Sequence, residues 1–136
     1  MVSLAFLWDP NVWWRRRQGK LQALGRTECG LRVVSGSQDG LSGRWRHGIG
    51  IVRTGSLEFL PRLGGSRITR PGQKWLRLEV VEATRAHERT AKGKESWSVN
   101  PSARIVVLRT STAELEWAVT AEQRDWALSR LMGSPD

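Results

Sequence analysis

The chain has 136 residues, of which 39% are hydrophobic and 26% charged, and it contains one cysteine and two histidines. This length and composition are typical of a single folded domain. A single cysteine excludes an internal disulfide and a cysteine-rich zinc site. Two histidines supply little for metal binding or for proton transfer at neutral pH. We therefore expect a non-enzymatic protein with no metal, no other cofactor and no small-molecule substrate.

The net charge of +9 favours an anionic partner. This charge is distributed unevenly along the chain. Residues 1–78 carry fourteen Lys/Arg against four Asp/Glu, whereas residues 79–136 carry eight against nine. The positive charge therefore belongs to the N-terminal half.

Residues 1–25 are predicted to form a leader, which begins MVSLAFLWDPNVWWRRRQGK. Its apolar run is shorter than the roughly 18 to 20 residues of a transmembrane helix, and its arginines follow that run, which is the wrong order for a secretory signal. Tryptophans followed by clustered arginines are typical of a membrane segment that leaves the bilayer on its cytoplasmic side. We therefore expect the leader to lie at the cytoplasmic face of the membrane. The candidate membrane-interface residues are Trp8, Trp13 and Trp14, and the candidate lipid-binding cations are Arg15, Arg16, Arg17 and Lys20.

Three other interpretations of the leader stay open at this point. It could be a flexible basic segment without an anchoring role, or an arm that binds nucleic acid. If the natural start lies upstream, it would be the stub of a longer transmembrane helix.

Residues 26–132 are predicted to form one β-rich domain, followed by a tail at 133–136. In RTECGLRVV, period-two alternation places Cys29, Leu31 and Val33 on one strand face. RWRHGIGIVR predicts a second strand, whose presumed core face carries Trp45, His47, Ile49 and Ile51. Five more strands are predicted in LEFLPR, KWLRLEVVEAT, ESWSVN, ARIVVLRT and AELEWAVT.

The segment TAEQRDWALSRLMG predicts an amphipathic helix that begins after Thr120 as N-cap and ends before Gly133. Glu122 and Asp125 near its start and Arg130 in its last turn favour the helix dipole. Its apolar side chains, which we expect to be buried, are Trp126, Leu128, Leu131 and Met132. Seven strands followed by one helix is the order of a pleckstrin-homology-like barrel, in which the helix plugs one open end. We predict this mainly β fold class.

The segments GRWRHGIGIVRTGSLEFLPRL, SRITRPGQKWLRLEVVEATR and ARIVVLRTSTAELEWAVTAEQRDWALSRL resemble an uncharacterised family of actinobacterial membrane proteins. The resemblance covers roughly residues 12 to 131, and WRHG at Trp45–Gly48 is its most specific part. It implies one N-terminal transmembrane helix, a basic stretch and a compact β-rich domain of no assigned activity. The chain departs from this pattern because the long apolar helix is missing or truncated. The resemblance carries over no catalytic residue.

Two basic regions are candidates for binding an anionic ligand. In pleckstrin-homology-like barrels the first hairpin loop is a usual place for headgroup contacts, and by that resemblance Arg32, Arg44 and Arg46 flank the loop SGSQDGLSG. The connection LGGSRITRPGQK adds Arg67, Arg70 and Lys74. The planar guanidinium of arginine suits phosphate because it donates two parallel hydrogen bonds. The expected partner is an anionic membrane surface or a membrane protein, although a solvated basic surface with no ligand is an equal alternative.

Nucleic acid is the competing partner, because positive charge alone attracts it. Nucleic-acid bases stack on exposed aromatic side chains, and in the predicted domain Trp75 and Trp97 are the tryptophans available for this role. Glu114 and Glu116 share a strand face, where we expect solvated glutamates rather than a catalytic pair. Cys29 is predicted to be a small core residue, and His47 a hydrogen-bonded histidine near a strand end.

Overall fold

The computed structural model describes Arg16 and residues 19–62, 72–91 and 103–133. Within these residues there are seven strands, a helical turn at residues 19–23 and a C-terminal helix. The strands are β1 (Arg26–Gly36), β2 (Arg46–Arg53), β3 (Ser56–Pro61), β4 (Leu76–Glu79), β5 (Glu82–Arg89), β6 (Ala103–Arg109) and β7 (Ala113–Thr120), and the helix α1 is Ala121–Met132.

The seven strands form one sheet in the order β4-β3-β2-β1-β7-β6-β5, with every neighbouring pair antiparallel. The first and last strands, β1 and β7, lie side by side at its centre. The sheet curls into a half-barrel, and α1 packs against β2, β5, β6 and β7. The predicted fold class, a mainly β protein with about seven antiparallel strands and one C-terminal helix, is confirmed.

The segment KWLRLEVVEAT was predicted as one strand, but it contributes to two. The chain leaves β4 at one sheet edge, turns through Val80 and Val81, and enters β5 at the other edge. The Val80 N–H donates to the carbonyl of Gly55 and the Val81 N–H to that of Arg109, each at 2.8–2.9 Å. Through this corner the segment passes from one edge of the curled sheet to the other. The predicted strand ESWSVN lies outside the described residues.

The prediction for the core face of β2 was wrong. Gly48, Gly50 and Val52 face the core, whereas Trp45, His47, Ile49 and Ile51 lie on the opposite, half-buried face. A Cβ atom on Gly48 would lie 2.1 Å from the carbonyl oxygen of Leu60. The backbones of β2 and β3 therefore approach too closely at this point for any side chain. Because these glycines carry no hydrophobic signal, alternation alone pointed to the wrong face.

The core is built around Trp117 of β7, which is fully buried together with Leu31, Phe59 and Leu115. Cys29 is buried in the same cluster, which confirms its predicted role as a small core residue. A second, smaller cluster on the other side of the sheet consists of Ala103, Ile105 and Ala118, and Trp45 packs against it.

Helix α1 has the predicted position and length, but its first turn and its apolar face differ from the prediction. Thr120 occupies the N-cap position, yet its side chain makes no capping hydrogen bond. Gln123, Ala127 and Leu131 are the buried residues of the helix. Met132 is 46% exposed because it lies about 100° around the helix from Leu131, so its predicted burial was wrong.

We expect Gly48→Ala to destabilise the protein strongly. The new methyl group would meet the backbone of Leu60, which cannot move aside as a side chain could. The expected loss in the free energy of unfolding, measured by urea denaturation, is about 2 kcal/mol or more. Gly43→Ala is the matched control, because its nearest contact, the carbonyl oxygen of Val33, would be an ordinary 3.8 Å away. Equal stabilities of the two variants would contradict the close packing of β2 on β3.

Candidate functional site

Most arginines on the sheet are paired with a carboxylate. Within the described residues, ion pairs join Arg53 to Glu58, Arg62 to Glu28, Arg77 to Glu79, and Arg109 to both Glu82 and Glu114. Arg85 and Arg124 share Glu88 and Asp125, which ties β5 to α1. A nearby carboxylate therefore offsets the positive charge of each of these cations. Any surface that attracts anions must therefore be sought among the remaining ones.

Arg32, a predicted ligand-binding residue, belongs to an ion cluster on the outer sheet face. Its guanidinium hydrogen-bonds the Glu116 carboxylate, which also accepts two hydrogen bonds of 3.0 Å from Arg89. The same guanidinium lies 5.2 Å from the ring centroid of Trp45, a cation–π contact. Arg32 therefore has a structural role that the sequence did not reveal.

Glu116 is not the solvated glutamate that was expected, since only 12% of its side chain is exposed. Burial by itself raises the pKa of this carboxyl, but the hydrogen bonds from Arg89 and Arg32 outweigh it and hold the pKa below its usual value. Glu114 is bound to Arg109 at 3.3 Å. Each of the two glutamates is thus held by arginine.

Three cations surround the loop between β1 and β2. Arg44 and Arg46 end this loop and begin β2, and Lys74 lies just before β4. The loop contacts β4, since a Cβ atom on Gly40 would lie within 3 Å of the Leu76 side chain. We call Arg44, Arg46 and Lys74 the loop-end cations. They have no ion pair within the described residues, and the exposed Asp39 is the acidic residue of the same loop.

A second group lies where the leader joins the domain. Arg16 and Lys20 are exposed and helical, and Arg26 begins β1. We call these three the leader-end cations, and they too lack an ion pair in the part of the chain that the structure describes. Arg104 of β6 shares this property but belongs to neither group.

The two groups lie at opposite ends of the β1–β2 hairpin. Arg26 is paired with Ile51 at one end and Leu31 with Arg46 at the other. Five residue steps separate these pairs, which at the rise of a strand is about 17 Å. The structure therefore does not bring the predicted cations of the leader and of the first loop into one site.

The other predicted site residues fall outside the described residues. These are Trp8, Trp13, Trp14, Arg15, Arg17, Arg67 and Arg70. Arg26 and Arg104 were missed by the sequence analysis. No local signal could have singled them out, because their distinguishing property is that they form no ion pair within the described part of the folded sheet.

Neither Cys29 nor His47 has the surroundings of a catalytic group. Burial raises the pKa of the Cys29 thiol to about 12, so the reactive thiolate is scarce at neutral pH. Partial burial lowers the pKa of His47, and its side chain makes no hydrogen bond within the described residues, contrary to expectation. Among the described residues, no group of three or more His, Cys, Asp or Glu could hold a metal ion.

Comparison with known proteins shows which family the sequence represents. A family model described as a protein of unknown function, DUF2550, matches residues 4–129. The chain belongs to the DUF2550 family. No curated protein and no solved structure matches it. In the described part of this DUF2550 protein, no helix combines the length and the apolar character needed to cross a membrane.

We expect Glu116→Gln to reduce both stability and its dependence on pH. The folded-state pKa of Glu116 lies below the usual value of 4.5, so its stabilising contribution is complete above that pH and is lost as the pH falls through the folded-state pKa. The substitution also leaves Arg32 and Arg89 facing each other without a charge between them. The expected loss at pH 7 is about 1–2 kcal/mol in urea denaturation.

Glu114→Gln is the control for this experiment, because Glu114 is a more exposed member of the same strand and binds one arginine. It should cost less at pH 7 than Glu116→Gln. If the wild-type and Glu116→Gln proteins lost stability equally between pH 7 and pH 3, the Arg32–Glu116–Arg89 cluster would not have the assigned role.

Proposed function

We propose that this DUF2550 protein is a non-enzymatic binding module at the cytoplasmic face of the membrane, where it engages anionic lipid headgroups or a membrane-protein partner. The observation that carries the proposal is the contrast between offset and unpaired cations. Most strand arginines are paired with carboxylates, whereas the leader-end and loop-end cations have no ion pair within the described residues. Unpaired arginine and lysine near an anionic lipid surface contribute roughly 1 kcal/mol each.

The leader supports the lipid half of this proposal. The leader-end cations continue the basic run that begins at Arg15, directly after the tryptophans of the leader. Indole rings prefer the membrane interface, and clustered cations mark its cytoplasmic side. Membrane attachment through this end requires no ligand pocket. It requires only an apolar segment and uncompensated charge.

The loop-end cations support the second half of the proposal, a protein partner. Arg44 and Arg46 lie about 17 Å along the hairpin from Arg26, where the leader joins the domain, so a separate anion can bind them. Trp75, which is 38% exposed next to Lys74, adds an apolar surface for such a contact. An acidic segment of a membrane protein has the chemistry that these side chains recognise.

The proposal is tested by co-sedimentation of the full chain with vesicles across a salt series. We expect binding to anionic vesicles that weakens with salt but persists, because apolar insertion adds to charge. Neutral vesicles should bind less protein. Replacing all three leader-end cations with alanine should weaken anionic binding about a hundredfold, since about 1 kcal/mol is lost for each cation.

The matched control replaces the three loop-end cations with alanine, which removes the same number of charges at the opposite end of the β1–β2 hairpin. It should weaken vesicle binding much less, because about 17 Å along the hairpin exceeds the screening length at physiological salt. Absence of vesicle binding, or binding that salt abolishes completely, would overturn the membrane proposal. If duplex DNA at equal phosphate concentration displaced the protein from vesicles, nucleic acid would become the preferred partner.

A further inference from the structure

A set of backbone hydrogen bonds connects the start of β1, the β2–β3 turn, the β4–β5 corner and the end of α1. The Val52 N–H donates to the carbonyl of Gly25, the Gly55 N–H to that of Leu131, and the Val80 N–H to that of Gly55. All three distances are 2.7–2.9 Å. We call this region the leader junction, because the leader enters the domain at Gly25.

Three exposed apolar side chains surround the leader junction. Leu24 precedes Gly25 and is 67% exposed, Val81 follows Val80 and is 66% exposed, and Met132 follows Leu131 and is 46% exposed. The structure has five large exposed apolar side chains among its described residues, and three of the five belong to residues next to Gly25, Val80 and Leu131 at this end of the domain. A clustered apolar surface of this kind marks an interaction site more often than scattered ones do.

The position of Leu24 is fixed by the fold. Residues 19–23 form a helical turn, and the Leu24 and Gly25 N–H groups donate to the carbonyls of Leu21 and Gln22. Gly25 then takes a positive φ of 74°, which favours glycine, and turns the chain into β1. The guanidinium of Arg130 lies directly over Gly25. Leu24 is therefore held at the surface beside the last turn of α1.

The same end of the domain carries positive charge that no carboxylate among the described residues offsets. Lys20 precedes Leu24 by one helical turn, and Arg26 follows it by two residues. Glu79 and Glu82, which flank Val80 and Val81, are paired with Arg77 and Arg109, so the remaining charge at this end is positive. An apolar surface with net positive charge at its edge matches the interface of an anionic bilayer, in which acyl chains lie beneath negative headgroups. It matches an acidic protein surface less well, because the apolar side chains would then lack partners.

We propose that the leader junction rests on the bilayer, with Leu24, Val81 and Met132 inserted at the headgroup level. This inference rests on the proposed membrane function and specifies which face of the domain meets the lipid. It places the loop-end cations about 17 Å farther from the bilayer along the hairpin. That distance exceeds the screening length of about 8–10 Å at physiological salt, so these cations face away from the lipid and are available to a different anionic partner.

The orientation is tested with an environment-sensitive fluorophore on single introduced cysteines. Met132→Cys and Leu24→Cys report on the leader junction, and Val34→Cys is the matched control, since Val34 is 51% exposed near the opposite end of β1. The native Cys29 is buried, with a pKa of about 12, so it should escape labelling at neutral pH. The unmodified protein serves as the labelling blank.

With anionic vesicles we expect a blue shift, and quenching by brominated lipids, for labels at positions 132 and 24 but not at 34. If the protein sediments with vesicles while the labels at 132 and 24 stay in water, the membrane function stands and the orientation is wrong. A shift confined to position 34 would reverse the orientation. If no variant sediments, the proposed function itself fails. A shift that depends on protein concentration without vesicles would identify a second copy as the occupant and overturn the inference.

A second experiment measures the apolar contribution directly. The double substitution Leu24→Ser with Met132→Ser removes two exposed side chains that lie outside the core, so the fold should be retained, as circular dichroism would verify. We expect vesicle binding to weaken about tenfold or more, because two partly inserted apolar side chains are lost. Val34→Ser should leave binding unchanged. Equal binding of the double variant and the wild type would overturn the inserted face.

Discussion

The two-residue corner at Val80 and Val81 constrains the rest of this structure. It joins strands that lie at opposite edges of a seven-stranded sheet, so the sheet must curl until the end of β4 lies close to the start of β5. The backbone hydrogen bonds from Val80 to Gly55 and from Val81 to Arg109 hold this geometry. The curled sheet surrounds one core around Trp117, and α1 covers part of it. Because the corner lies beside the β2–β3 turn, it also brings Val81 to the place where the leader enters.

The close approach of β2 to β3 is the second constraint. The inner face of β2 has no room for a side chain at Gly48 or Gly50. The larger residues of this segment therefore alternate onto the outer face; they are Trp45, His47, Ile49 and Ile51. On that outer face Trp45 covers the second apolar cluster and contacts Arg32, which in turn holds Glu116. The close packing at the glycines on the inner face thus favours the outer position of Trp45, which contacts the ion cluster through Arg32. This explains why a segment that resembles a half-buried strand contributes its small residues to the core.

The surface charge of this protein depends mainly on the cations that are not in ion pairs. Ion pairs offset most strand arginines, and the cations that remain unpaired in the described residues lie largely at the two ends of the β1–β2 hairpin. One end also carries three exposed apolar side chains, and the other carries Trp75. Two ends with different chemistry suit a module that contacts a membrane with one surface and an anionic partner with the other.

Several features were determined by the sequence alone. The alternation of Cys29, Leu31 and Val33, the helix that begins after Thr120, the mainly β fold class and the family resemblance all follow from local patterns, because each depends on residues close in the chain. Other features were decided only by the tertiary structure. The division of one predicted strand at Val80, the inner face of β2 and the binding of Glu116 by two arginines all depend on residues distant in sequence. The net charge can be counted from the sequence. The tertiary structure decides which cations form ion pairs, because their carboxylate partners come from other strands and from the helix.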